Sequence, residues 1–138
     1  MLGDRRDVAD ELEIRGVLAR VAQYSDTGDL DDYAALFTED ARWSMGDWPE
    51  KNGRAEIRAA GAARRAEGQT GPGSQSRHLV GTVAVALDGD RAVADSYWQF
   101  WVETAAEAPR LFSMGAYRDT LHRTGHGWRI AERVVTAG

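Results

Sequence analysis

Residues 77–103 read RHLVGTVAVALDGDRAVADSYWQFWVE. Both halves alternate with the period of two that a strand imposes. β-branched and aromatic residues, which suit a pleated surface, dominate them. Between the halves, Asp88-Gly89-Asp90 supplies the backbone freedom of a tight hairpin. Two long antiparallel strands are predicted, Arg77 to Leu87 and Arg91 to Glu103. If His78 faces inward, strict alternation puts Val80, Thr82 and Ala84 beside it. On the next strand, alternation separates Trp98, Phe100 and Val102 from Tyr97, Gln99 and Trp101. Toward the C-terminus, Ala105 to Pro109 reads as a turn and Arg110 to Arg123 as a third strand. Thr124-Gly125-His126-Gly127 makes another turn, and Trp128 to Val135 a fourth strand.

Toward the N-terminus the period changes. Ile14, Val17, Leu18 and Val21 fall at helical spacing, and Tyr24 and Ser25 continue that face. Gly28 is a C-terminal stop and Asp29 the N-cap of a second helix. That helix places Leu30, Tyr33, Ala34 and Phe37 on one face. Ala41 to Met45 is a short strand, Gly46 to Gly53 a loop, and Arg54 to Glu67 an alanine-rich helix weakened at Gly61. Gly68 to Gln75 reads as a mobile loop. Helices first and a meander of strands afterwards define an α+β architecture. Long strands twist and coil, so the expected fold is a strongly curved antiparallel sheet wrapped around N-terminal helices, with a mostly apolar pocket between them.

The 138 residues fit one domain, residues 1–138, without repeat or linker. A chain of this size buries roughly two thirds of its unfolded surface and needs no metal or disulfide staple. There is no cysteine, which excludes thiolate catalysis, cysteine-bound zinc and iron–sulfur clusters. The net charge is −5, which argues against nucleic acid. Sixteen of the 17 basic residues are arginine, a bias that with the abundant Ala and Gly suggests base composition more than a binding device. No apolar run approaches the ~20 residues of a membrane span. Met1 to Asp7 has no apolar core for a signal peptide. A cytoplasmic protein is expected.

Several motifs are absent. Gly68-x-x-Gly71-x-Gly73 lacks the following Lys-Ser/Thr of a phosphate loop. Asp29-x-Asp31-Asp32 lacks the glycine and closing glutamate of a calcium loop and reads as a solvated helix start. His122 and His126 make no metal spacing with His78. No Gly-x-Ser-x-Gly elbow occurs. No cofactor or metal is expected.

Several segments carry a family likeness: Tyr24-Ser25-Asp26-x-Gly28-Asp29, Tyr33-x-x-Leu36-Phe37-x-x-Asp40-Ala41 and Gly53-x-x-x-Ile57. The second half adds Arg77-His78-x-x-Gly81, Asp88-Gly89-Asp90-x-Ala92, Gly115-x-Tyr117-x-Asp119 and Gly127-Trp128-Arg129-Ile130. In this order they resemble the SnoaL-like branch of the nuclear transport factor 2-like superfamily. That cone-shaped α+β fold also includes scytalone dehydratase and ketosteroid isomerase. The fold hosts isomerases, dehydratases, cyclases, hydrolases and non-enzymes, so the likeness speaks to architecture more than to activity.

The resemblance implies that Asp26 and His78 belong to an acid/base apparatus, as the matching residues do in scytalone dehydratase-like relatives. A carboxylate can orient an imidazole and hold one tautomer. Each residue also has a structural reading: Asp26 as a local backbone cap, His78 as a satisfied core histidine. By the same likeness, Ser25 and Met45 replace tyrosines, Thr104 stands where a second catalytic histidine would be, and Tyr117 where an asparagine would be. A water-orienting tyrosine pair is therefore missing, and the likeness points away from scytalone dehydration itself.

The expected function is a cofactor-independent lyase, isomerase or cyclase of polyketide cyclase or dehydratase type. Its substrate would be small, hydrophobic and oxygenated. Asp26 and His78 would move protons, Tyr24 and Tyr117 would bind an oxygen, and Trp43, Met45, Trp98 and Phe100 would shape the cavity. Five tryptophans suit a flat aromatic guest, but ordinary core packing and a dimer interface account better for most of the aromatic residues. The spare aromatic sheet face predicts a homodimer. Two alternatives stay open: a non-catalytic binding or accessory module of the same fold, and a partner resembling the small subunit of ring-hydroxylating dioxygenases.

Overall fold

A computed structural model describes residues 5–138. Met1 to Asp4, the start of the segment read above for a leader, lies outside the described residues. The elements are α1 (Arg5–Thr27), α2 (Leu30–Ala34), β1 (Phe37–Met45), β2 (Lys51–Asn52), α3 (Arg54–Ala66), β3 (Ser76–Asp88), β4 (Arg91–Val102), β5 (Arg110–Thr124) and β6 (Gly127–Ala137). One strongly curved sheet runs in the order β2-β1-β6-β5-β4-β3, and the helices cover its concave face. No described helix is long and apolar enough to cross a membrane.

The α+β reading holds, with three corrections. First, the sheet is mixed: β1 runs parallel to β6, with Trp43 opposite Arg133 and Met45 opposite Val135. No tight turn joins these two strands, so nothing local imposes the antiparallel direction. Second, α2 stops at Ala34, and Phe37 opens β1. The Ile130 N–H donates to the Leu36 carbonyl at 2.9 Å, so pairing with β6 captures the chain that helical periodicity had assigned to α2. β1 thus begins four residues before Ala41, and Lys51–Asn52 adds a short strand inside the expected loop.

Third, β3 does not alternate strictly. Gly81 pairs with Tyr97 but Ala84 pairs with Asp95, so β3 carries one extra residue. Thr82 adopts φ +50° at this bulge, a conformation unusual for a β-branched residue. His78 and Val80 face the helices, and after the bulge Val83, Val85 and Leu87 do so instead of Thr82 and Ala84. The bulge also bends the strand, which helps the sheet wrap.

The core fills the narrow end of the curve. Ile14, Val17, Leu18 and Val21 of α1 pack with Phe37, Ile57, Leu121, Trp128 and Ile130. Trp128 is fully buried, its Nε1 donates to Asp10 Oδ1 at 3.1 Å, and its backbone N–H donates to Glu13 Oε2 at 2.6 Å. Arg123 donates both terminal nitrogens to Asp10, at 2.8 and 2.6 Å, and Nε to Asp90 at 2.8 Å. Its guanidinium also lies 4.8 Å from the Trp128 ring centre. Hydrogen bonding from Arg123 holds the Asp10 carboxyl down at about 2. On the outer face Leu79, Tyr97 and Met114 are exposed. This is the strip for which the sequence reading expects a second copy of the chain.

Candidate active site

The wide end is hollow. A cavity of about 540 Å³ opens between α1, the sheet and the 68–76 segment, well within the range of small-molecule sites. Trp43, Met45, Trp98, Phe100, Phe112 and Val135 give it apolar walls. Trp98 is fixed by its Nε1, which donates to the Ala116 and Thr136 carbonyls at 3.2 Å each. Gly115 leaves room for that ring: a Cβ there would come 2.7 Å from the Trp98 ring and collide with the Thr136 carbonyl. The glycine-rich 68–75 loop is part of the wall. Gly68, Gln69, Thr70 and Ser74 line the cavity, and Ser76 Oγ donates to the Gln69 carbonyl at 2.8 Å.

Asp26, at the C-terminal end of α1, and His78, at the start of β3, meet across 52 residues of chain. Asp26 Oδ1 lies 2.7 Å from His78 Nδ1, and Oδ2 accepts the His78 backbone N–H at 2.7 Å. Both carboxylate oxygens are thus committed to one residue. An ionised carboxylate only accepts, so Nδ1 carries the hydrogen and the neutral ring holds its lone pair on Nε2. The Asp26 side chain is 3% exposed and the His78 side chain 20% exposed, and only His78 lines the cavity. The Phe100 ring, 4.6 Å away between centres, supports the imidazole from the facing strand.

The carboxylate has its own support. Arg65 of α3 donates Nη2 to the Tyr24, Ser25 and Gly28 carbonyls at 2.8, 3.3 and 2.7 Å. α1 has no basic residue in its own last turn. Arg65 therefore supplies from a neighbouring helix the cation that a helix C-terminus favours. It fixes the turn that aims Asp26.

The cavity floor is polar. Arg133 and Asp119 face each other on β6 and β5, with Nε and Nη2 donating to the carboxylate at 2.7 and 3.0 Å, and both are buried. The guanidinium also lies 3.8 Å from the centre of the Tyr117 ring. Burial pushes the Tyr117 phenol up to about 12, so it stays a proton donor throughout the neutral range. Burial likewise raises the Asp119 carboxyl, and Arg133 opposes that shift. Tyr33 of α2 is also buried and lines the cavity.

Set against the sequence reading, His78, Trp43, Met45, Trp98, Phe100 and Tyr117 all lie on the cavity surface. Two assignments change. Asp26 is not among the cavity-lining residues, and each of its oxygens is bonded to His78. Tyr24 does not line it either. One helical step of about 100° separates it from cavity-lining Ser25, and it packs instead on the core and against Gly28. Tyr33 and Arg133 were missed. Tyr33 sat on an apolar helical face and read as plain core. Arg133 did have a signal, because Asp119 shares the inward face with Tyr117 and a buried carboxylate calls for a cation. Among the described residues no group of three or more His, Asp and Glu is arranged to hold a metal.

A single strongly curved sheet covered by N-terminal helices is the fold of the nuclear transport factor 2-like proteins. An NTF2-like protein with a cystatin-like fold from Novosphingobium aromaticivorans superposes with a TM-score of 0.77 at 26% identity, covering 99% of this chain and 92% of that one. Residues 6–134 match the model of the SnoaL-like domain, and the chain belongs to that family. Rv3472(D26N), a function unknown protein from Mycobacterium tuberculosis, gives a TM-score of 0.84 at 26% identity over 96% of this chain and 74% of that one. ActVI-ORFA from Streptomyces coelicolor gives 0.77 at 26% identity over 92% and 96%. No curated protein matches the sequence significantly.

Proposed function

We propose that the cavity is the active site of a cofactor-independent acid/base enzyme acting on a small, hydrophobic, oxygenated substrate. The observation that carries this reading is the double contact between Asp26 and His78, which fixes the ring while leaving it at the cavity wall. In the neutral ring, Nε2 takes a proton from a carbon next to a carbonyl. The Tyr117 hydroxyl, a donor on the floor, stabilises the enolate oxygen that forms. The imidazolium then gives the proton back. Delivered to a leaving hydroxyl it completes a dehydration, and delivered to another carbon an isomerisation. If the enolate carbon attacks a second carbonyl, the product is a ring. Apolar walls exclude water and strengthen each of these interactions.

Deuterium exchange at the activated carbon of 2-tetralone, followed by NMR in D2O, tests the proton-transfer step without knowledge of the natural substrate. Exchange above the buffer rate is expected. His78→Ala is expected to lower it by about 10²–10⁴-fold, the usual contribution of a positioned base. Asp26→Asn is expected to lower it less, because the ring remains but loses its fixed tautomer. An exchange rate that neither substitution alters removes the proposal and leaves a binding module.

A further inference from the structure

The floor of the cavity holds three polar groups whose hydrogen-bonding capacity the protein leaves unused. Arg133 spends Nε and Nη2 on Asp119, and among the described residues Nη1 has no protein acceptor. The hydroxyls of Tyr33 and Tyr117 likewise have no hydrogen-bond partner among the described residues. Neither these oxygens nor Nη1 belongs to the sealed, unpaired polar atoms, which are Arg65 Nε and Ser96 Oγ. All three residues line the cavity and are buried as whole residues. Buried as residues yet not sealed at these atoms, they have the cavity beside them. The Arg133 guanidinium lies 3.8 Å from the Tyr117 ring centre, so these polar groups without a protein partner sit together at the cavity wall and are able to take an acceptor from outside.

The character of that acceptor follows from the donors. Guanidinium nitrogens only donate, and a phenol kept protonated by burial donates to an anion more readily than it accepts. Asp119 already neutralises Arg133 in part, so the floor suits one oxygen carrying a full or developing negative charge, not a dianion. Above it, Trp43, Trp98 and Phe100 leave room for a flat apolar body.

We propose that Tyr33, Tyr117 and Arg133 Nη1 form a subsite for an anionic oxygen borne by a flat apolar molecule, as a carboxylate or as an enolate or phenolate. This rests on the reading of the cavity as the substrate site. It adds the acidic oxygen to the substrate class and makes Tyr33 a second oxygen-binding residue.

Calorimetric titration with 2-naphthoate, its neutral methyl ester and 2-naphthol tests the subsite. A hydrogen bond to a charged group contributes enough that at least one acidic probe is expected to bind about 10–100-fold tighter than the ester. Preference for naphthoate identifies a carboxylate site. Tighter binding of naphthol, with the absorbance of its anion, identifies an enolate or phenolate site. Tyr33→Phe is expected to remove roughly a tenfold share of the preference while leaving ester binding unchanged. Arg133→Met paired with Asp119→Asn, which leaves no lone buried charge, should remove most of it. Equal affinity for acidic probes and ester, or a preference untouched by Tyr33→Phe, overturns the subsite. Titrating His78→Ala in parallel separates the two proposals: an anion preference without proton exchange sinks only the chemistry, and exchange without the preference sinks only the subsite.

Discussion

Arg123, beside the β5–β6 turn, and Arg133, midway along β6, are built into their surroundings by the same devices. Each donates to a buried carboxylate through two nitrogens and lies against an aromatic ring. At the narrow end, Arg123 uses its remaining nitrogen on Asp90. At the wide end, the third nitrogen of Arg133 has no protein acceptor among the described residues. One cluster closes the fold by pinning α1 to the β5–β6 hairpin. The other stops one bond short of closure. Full pairing marks a structural joint, and the incomplete pairing on the cavity wall is what the proposed subsite rests on.

The comparison breaks most directly on packing. Trp128→Ala removes a fully enclosed indole and its bond to Asp10, and is expected to cost about 3–5 kcal/mol in urea unfolding. Phe100→Ala removes a ring that already has the cavity on one side and should cost less than half as much. Equal losses would mean that the wide end is as tightly specified as the narrow one.

Acid sharpens the same contrast. The Asp10 carboxyl is held at about 2, below its ordinary 3.8. Its stabilisation is therefore fully present above pH 4 and is lost as the pH falls from about 4 to about 2. Asp10→Asn is expected to be less stable than the parent at pH 7, with the gap closing over that window. A gap that stays constant down to pH 2 would show that the narrow-end cluster does not hold this proton. Asp119 offers no such acid signal, because burial raises it instead.

The sequence made much of this legible, and the misses have identifiable causes. The 77–103 hairpin was plain because alternation, β-branched residues and the Asp88-Gly89-Asp90 turn all agree. α1, α3, β5 and β6 followed from equally consistent local signals. Phe37 misled because its helical spacing from Tyr33 is real, yet the backbone at Leu36 is claimed by Ile130, more than 90 residues away. The β3 bulge hid in Val-Ala-Val-Ala, where either phase alternates. The larger residues, Val83, Val85 and Leu87, could have shown which phase is buried. Asp26 and His78 stood out from the family likeness, but their division of labour did not. Only the coordinates show that both Asp26 oxygens are committed to His78. Tyr33 was invisible because a buried tyrosine in sequence carries no mark of where its hydroxyl points.

The central claim is that Asp26 fixes His78 with Nδ1 protonated and Nε2 free toward the cavity. Long-range ¹H–¹⁵N correlation of the imidazole nitrogens, with His78 assigned by loss of its signals in His78→Gln, reads this without any substrate. The neutral ring is expected to show a protonated Nδ1 and a bare Nε2, with that preference lost in Asp26→Asn. A neutral His78 carrying its hydrogen on Nε2, or a tautomer unchanged by Asp26→Asn, would contradict it.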